Sequence, residues 1–252
     1  MITYLLFSFG LRKIVPSPDP LTNISDLPFF YNFLESYPEC DYSDTMMPCN
    51  CSYALSVLKA IGHRFCRQTH RTTILSPQYA MTCDITNDGC NGGCQVSTYN
   101  FLETNGVPDI DCHPWNNKFK NSYSFELCSK CYNKSRMTLY KLKKKSTRRL
   151  LSAPDMMRAI YERGPITATI VTDDRFRNYH DGGVYISLNH IASEVGDHTI
   201  EIVGWGVRQG SPYWIARGSN DDNWGEEGYI KIGMGVNNGN LENSAYEADP
   251  YI

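Results

Sequence analysis

Met46-Met47-Pro48-Cys49-Asn50-Cys51-Ser52-Tyr53-Ala54-Leu55 is the stretch from which the rest of the chain can be organised. Small and polar residues run here into a segment in which Tyr53, Ala54, Val57, Leu58, Ile61 and Phe65 recur at three- and four-residue intervals. That period predicts an amphipathic helix starting near Ser52, with one buried face and one wet face. A side chain at a helix start feels the positive end of the macrodipole and lies beside backbone N–H groups that lack an intrahelical partner. The combination lowers a thiol pKa and can hold an oxyanion, so this is where a nucleophile would sit.

Cys49 to Leu55 resembles the Cys-Gly-Ser-Cys-Trp-Ala-Phe active-site segment of papain-like cysteine proteases, and the likeness runs without a gap through Ala60-Ile61 and Arg64-Phe65-Cys66. In this register Ser52 falls where the family has its nucleophilic cysteine, and Cys51 falls one residue early. Moving Cys51 onto that position would misalign Cys49, Ala54, Ala60, Arg64 and Cys66 together. Leu27-Pro28 to Tyr37-Pro38-Glu39-Cys40 is similar to the mature start of cathepsin B-like proteases. Cys83 to Gly89-Cys90-Asn91-Gly92-Gly93 resembles a family segment whose glycines let backbone approach a bound peptide, which makes Gly92 and Gly93 cleft candidates. Gly196-Asp197-His198-Thr199-Ile200 through Gly204-Trp205-Gly206 resembles the catalytic-histidine strand, with His198 as its histidine. Gly164 to Val171 alternates as a barrel strand does. The likeness covers about residues 27–249.

The resemblance implies a two-lobed α+β papain-like fold: a mainly helical lobe from about 27 to 140, a β-barrel-rich lobe from about 150 to 252, and a cleft between Ser52 and His198. A papain-like site needs a thiolate, a histidine, a side-chain amide that fixes the imidazole, and donors for the oxyanion. Tyr213 to Asn220 is similar to Tyr-Trp-x-x-x-Asn-Ser-Trp, so the amide residue falls on Gly218 and its covering tryptophan on Asn220. The oxyanion glutamine falls on Met46, which has no N–H to donate. The expectation is a cathepsin B-like homologue that has lost most or all catalysis and binds peptide or protein in its cleft. Two alternatives stand beside it: an active endopeptidase using Ser52 or Cys51 with His198, and a disulfide-stapled secreted protein whose cleft is unused. The residues themselves leave Ser52 open as an N-cap or a nucleophile, and His198 as a base or a retained structural histidine. No paired-histidine insertion of the carboxydipeptidase type lies between Cys112 and Cys131, so an ancestral activity would be endopeptidase-like.

With 252 residues, 41% hydrophobic content and a formal charge of −3, the chain carries no bulk bias toward nucleic acid or membrane, and a monomer without cofactor or metal is expected. Ten cysteines point to an oxidising compartment, extracellular or lysosome- or vacuole-like. By resemblance Cys40 pairs with Cys66, Cys49 with Cys90, and Cys83 and Cys112 with Cys128 and Cys131. Cys51 and Cys94 are left free or bonded to each other. Cys128-x-x-Cys131 together with Cys83, Cys90 or Cys94 also admits a zinc reading. Residues 1–26 form an N-terminal segment whose apolar Met1 to Gly10 lacks the basic lead of a signal peptide and whose Pro16, Pro18 and Pro20 suggest an extended arm. It is too short for both a signal and an inhibitory propeptide, which suggests either a truncated gene model or a protein with no activity to restrain. Lys141 to Arg149 is a basic run that reads as a solvated connector or a polyanion patch. Asn23-Ile24-Ser25, Asn50-Cys51-Ser52 and Asn133-Lys134-Ser135 are glycosylation sequons, the first and third in loop-like sequence.

Overall fold

The structure, a computed structural model, describes residues 26–42, 49–116, 125–180, 182–187, 197–218 and 224–252. In chain order its elements are β1 (Tyr31–Asn32), α1 (Phe33–Ser36), α2 (Ser52–Thr69), α3 (Pro77–Cys83), α4 (Gln95–Thr104), α5 (Phe125–Ser129), β2 (Lys141–Leu142), β3 (Arg148–Arg149), α6 (Ala153–Arg163), β4 (Ile166–Val171), α7 (Asp174–Arg177), β5 (Val184–Tyr185), β6 (Asp197–Arg208), β7 (Ser211–Arg217), β8 (Tyr229–Gly233), β9 (Ala245–Glu247) and β10 (Pro250–Tyr251). Helices therefore dominate the first half and strands the second, as an α+β chain requires.

Local chemistry sets the helix ends. Ser76 accepts the N–H of Tyr79 ahead of Pro77 at the first position of α3, and Ser152 accepts that of Asp155 at the start of α6, so each hydroxyl satisfies one orphan donor. The strands form a sheet in the order β3-β9-β4-β6-β7-β8-β5, with β1 added on β6 and a separate β2–β10 pair. Only β5–β8 is parallel among the pairs described. Its core is Met156, Ile160, Ile166, Ile170, Ile200, Ile202, Trp205, Trp214, Ile230 and Ile232, all nearly inaccessible to water. The helical lobe has its own core around Val57, Leu58, Ile61, Leu75, Tyr99 and Leu102.

Two terminal segments cross between lobes. Tyr31 pairs with Trp205 of β6 and stacks 5.2 Å from its ring, while Trp205 Nε1 donates to the Pro28 carbonyl. In return, Pro250 and Tyr251 pair with Leu142 and Lys141.

The central helix α2 departs from the expected one-sided burial. Every residue from Tyr53 to Cys66 is buried, including Ser56, Lys59, His63 and Arg64 on the face that reads as wet. That polar face lies on the sheet. Ser56 Oγ donates to the Thr199 carbonyl at 2.8 Å, and His63 Nδ1 lies 2.7 Å from Glu201 Oε1 with both side chains fully covered. Arg64 donates to the carbonyls of Pro165, Ala248 and Gly164 and to Glu247 Oε2. Glu247 is shared with Arg148 and Arg163. Burial alone would raise the Glu247 carboxyl, but Arg64, Arg163 and Arg148 together hold it down at about 2.

The disulfides are Cys40–Cys66, Cys49–Cys90, Cys83–Cys128 and Cys112–Cys131. They match the pairing implied by resemblance and decide its open half. They also take up the sulfurs that the zinc reading needs, since Cys83, Cys90, Cys128 and Cys131 are all bonded. Cys51 and Cys94 are free thiols, the first buried and the second exposed.

Candidate interlobe site

Ser52 is the first residue of α2, and the capping position belongs to Cys51. The N-cap reading of Ser52 is thereby corrected. The carbonyl of Cys51 already accepts the helix-type bond from Leu55, which moves the cap one residue earlier. The Ser52 hydroxyl instead accepts the backbone N–H of Thr199 at 3.3 Å, from the opposite lobe. Thr199 follows His198 on β6, so the helix start and the histidine strand meet here.

His198 pairs across the sheet with Ile170, and its ring lies 5.6 Å from that of Phe176. Desolvation holds the imidazole down at about 4, so it is neutral at physiological pH. It is also a weak base, because the proton it would accept is bound far less tightly than by an ordinary histidine. Cys51 is fully covered, and burial pushes its thiol up to about 12. A thiol in that state supplies almost no thiolate near neutrality.

Gly218 ends the last turn of backbone after β7, its N–H donating to the Gly228 carbonyl. A Cβ added there would lie 2.7 Å from Trp224 Cζ3 and 3.1 Å from Cε3. The indole fills the side-chain space at this position. It is fixed there by a bond from Nε1 to the Phe176 carbonyl at 3.0 Å and by ring contact with Phe176 at 5.0 Å. His198, Phe176 and Trp224 thus form a continuous aromatic wall. Met46 and Asn220 lie outside the described residues.

The two glycines of the helical lobe differ. Gly92, at φ +121°, has nothing within 4 Å of where a Cβ would be, which leaves an open flank. At Gly93 a Cβ would meet Asn87 Oδ1 at 2.5 Å and Tyr53 Cε2 at 2.8 Å. Gly93 is therefore required by packing within its own loop, where Asn87 Oδ1 also accepts the Cys94 N–H. Among the described residues no cluster of histidine, cysteine and carboxylate side chains is arranged to hold a metal ion.

Sequence reasoning misses two participants. Trp224 is not legible as the group that occupies the Gly218 position, since that is a tertiary contact which no local pattern marks. Arg217, buried beside Gly218, pairs with Asp41 at 3.1 Å and donates to the Tyr42 carbonyl, tying β7 to the segment that leads toward α2. A charged residue ending a largely buried strand was the available signal.

Comparison with known proteins gives a consistent result. The model of the papain family cysteine protease matches residues 42–248. Cathepsin B-like CP2 and CP3 of Giardia intestinalis are 29% and 30% identical to the chain, over 97% and 89% of it and 83% and 75% of their own lengths. Among solved structures, procathepsin B S9 from Trypanosoma congolense aligns with a TM-score of 0.79 and 25% identity, covering 90% of this chain and 78% of that one. No helix among the described residues is long and apolar enough to cross a membrane.

Proposed function

The chain belongs to the papain family of cysteine proteases, in its cathepsin B-like branch, and from that premise we propose that it is a catalytically impaired member whose interlobe cleft binds peptide or protein without hydrolysing it. The observation that carries this reading is the Trp224 indole packed against Gly218, where a side-chain amide would have to stand to orient His198. By resemblance Ser52 stands in place of the nucleophilic cysteine. A serine hydroxyl is much less acidic than a thiol and needs a better base, whereas His198 is held down at about 4. The Ser52 oxygen is already engaged by Thr199 N–H. Methionine in place of the oxyanion glutamine removes a further donor, a loss on the order of 100- to 1000-fold in rate by itself.

The proposed binding path runs over the junction of the two lobes, and the open backbone flank at Gly92 supports it, since an extended peptide could approach the backbone there. The four disulfides and the cathepsin B-like relatives support a protein of the secretory pathway, extracellular or lysosome-like. The test uses disulfide-intact protein with a fluorogenic peptide pool and, separately, a non-cleavable peptide library read by fluorescence anisotropy. The expected result is turnover no higher than that of His198→Ala, together with saturable peptide binding. Turnover that His198→Ala abolishes would establish the active endopeptidase instead, and absence of both would leave the stapled secreted protein.

A further inference from the structure

We propose that Asn133 is an N-glycosylation acceptor and that Asn50, despite an equally good sequon, is not. The inference rests on the secretory reading above, since the donor of such a modification is met only inside that pathway. Both sequons have the required asparagine and serine two residues apart, and the structure separates them.

Asn133-Lys134-Ser135 forms the tip of a small loop in which all three residues are exposed. The N–H of Ser135 donates to Asn133 Oδ1 at 2.9 Å, closing an Asx turn. Lys134 adopts φ +66°, and its N–H donates to the Cys131 carbonyl at 2.8 Å. The loop is tied at its base by the Cys112–Cys131 disulfide and by the bond from Tyr132 N–H to the Cys112 carbonyl. Asn133 Oδ1 is thus occupied, while Asn133 Nδ2 and the Ser135 hydroxyl have no partner among the described residues. These are the two groups that a transferase must reach. In the reaction Nδ2 bonds to the anomeric carbon of a lipid-linked oligosaccharide pyrophosphate. The bond from that carbon to the pyrophosphate oxygen breaks, the lipid pyrophosphate leaves with the electron pair, and the amide proton passes to solvent through the transferase.

At Asn50 the side chain is likewise exposed, but the backbone on either side of it and the sequon hydroxyl are committed to the fold. Its backbone N–H donates to the Cys90 carbonyl, Cys49 beside it is bonded to Cys90, and Cys51 after it is fully buried. The sequon hydroxyl, Ser52 Oγ, is held at the interlobe contact with Thr199. A glycan on Asn50 would stand where α2 enters the interface.

The test expresses the full chain in a eukaryotic secretory cell in two forms, as it stands and with a cleavable leader added. Each is made as the parent sequence and as N23Q, N50Q, N133Q and S135A. Intact mass is read before and after removal of N-glycans, and deglycosylation in heavy-oxygen water marks the modified asparagine. The expected result is a mark at Asn133 in both forms, loss of that increment in N133Q and S135A, and no change in N50Q. Leader-bearing protein that is secreted and disulfide-bonded but unmarked at Asn133 overturns the assignment alone. Leader-bearing protein that fails to be secreted with its disulfides formed overturns the assignment together with the secretory reading. A mark at Asn50 overturns the discrimination between the two sequons.

Discussion

At Gly218 a single side chain decides how repairable the site is. The sequence suggests that restoring Met46→Gln, Ser52→Cys, Gly218→Asn and Asn220→Trp together would rebuild the papain-like constellation, since residues acting as a unit are strongly non-additive. The structure revises that expectation, because an asparagine at 218 must displace an indole that is hydrogen-bonded to Phe176 and only 7% exposed. Gly218→Asn is therefore expected to destabilise the fold by about 1–3 kcal/mol, as overpacking of a filled site does. Guanidinium unfolding followed by tryptophan fluorescence checks it, and an unchanged midpoint would mean that the indole yields freely. Ser52→Cys alone is expected to leave peptide turnover at background, because it supplies a thiol but neither the side-chain amide that the family has at position 218 nor its oxyanion glutamine at position 46. Measurable turnover by that variant would show that His198 is oriented by some other group. Ser52 and His198 were both legible from short local motifs. Trp224 as the occupant of the Gly218 position was not, because no local pattern marks which side chain fills the space beside a glycine.

The helix α2 carries the larger lesson in what a sequence pattern can hide. Its apolar period identifies the face that packs in the helical lobe, from Tyr53 to Phe65. The same period labels Ser56, Lys59, His63 and Arg64 as solvent-facing, and all four are buried, with Ser56, His63 and Arg64 bonded to the second lobe. Hydropathy cannot distinguish a polar face that meets water from one that meets fixed carbonyls and carboxylates. Arg64 is the clearest case, serving three carbonyls and Glu247 while fully covered. Arg64→Ala is expected to cost about 3–5 kcal/mol, since it strands those acceptors out of reach of water. Arg64→Lys should be nearly as severe, because an ammonium is a point charge and cannot reproduce the planar fork. Arg158→Ala provides the comparison: its pair with Glu162 is one helical turn away and partly solvated, so about 0.5 kcal/mol or less is expected. Urea midpoints of the three variants decide the matter, and similar values for Arg64→Ala and Arg158→Ala would show that the interlobe network contributes little.

For the whole molecule, the two lobes are joined through groups whose protonation depends on folding, so stability should depend on pH with a definite sign. Burial lowers His198 to about 4 from an ordinary value of 6.5, and burial lowers His113 despite its bond to the Lys130 carbonyl. The unfolded chain therefore binds more protons than the folded one as pH falls below 6.5, and stability is lost through that window until His198 itself titrates near 4. Glu247, held at about 2 against an ordinary 4.5, behaves as a partnered carboxylate: its contribution is present above 4.5 and is lost as pH falls toward 2. Two descending limbs follow, one between about pH 6.5 and 4 and a second below about 4.5. For His198 the first limb amounts to about 1–3 kcal/mol, taking roughly 1.4 kcal/mol per pKa unit and discounting for partial solvent access. Denaturant midpoints measured from pH 7.5 to pH 3 on the disulfide-intact protein should fall throughout that range. His198→Gln, whose amide does not titrate, should flatten the first limb except for the part due to His113 and leave the second in place. An equal loss in the parent and in His198→Gln between pH 6.5 and 4 would remove His198 as the source. A rise in stability on acidification would contradict the sign altogether.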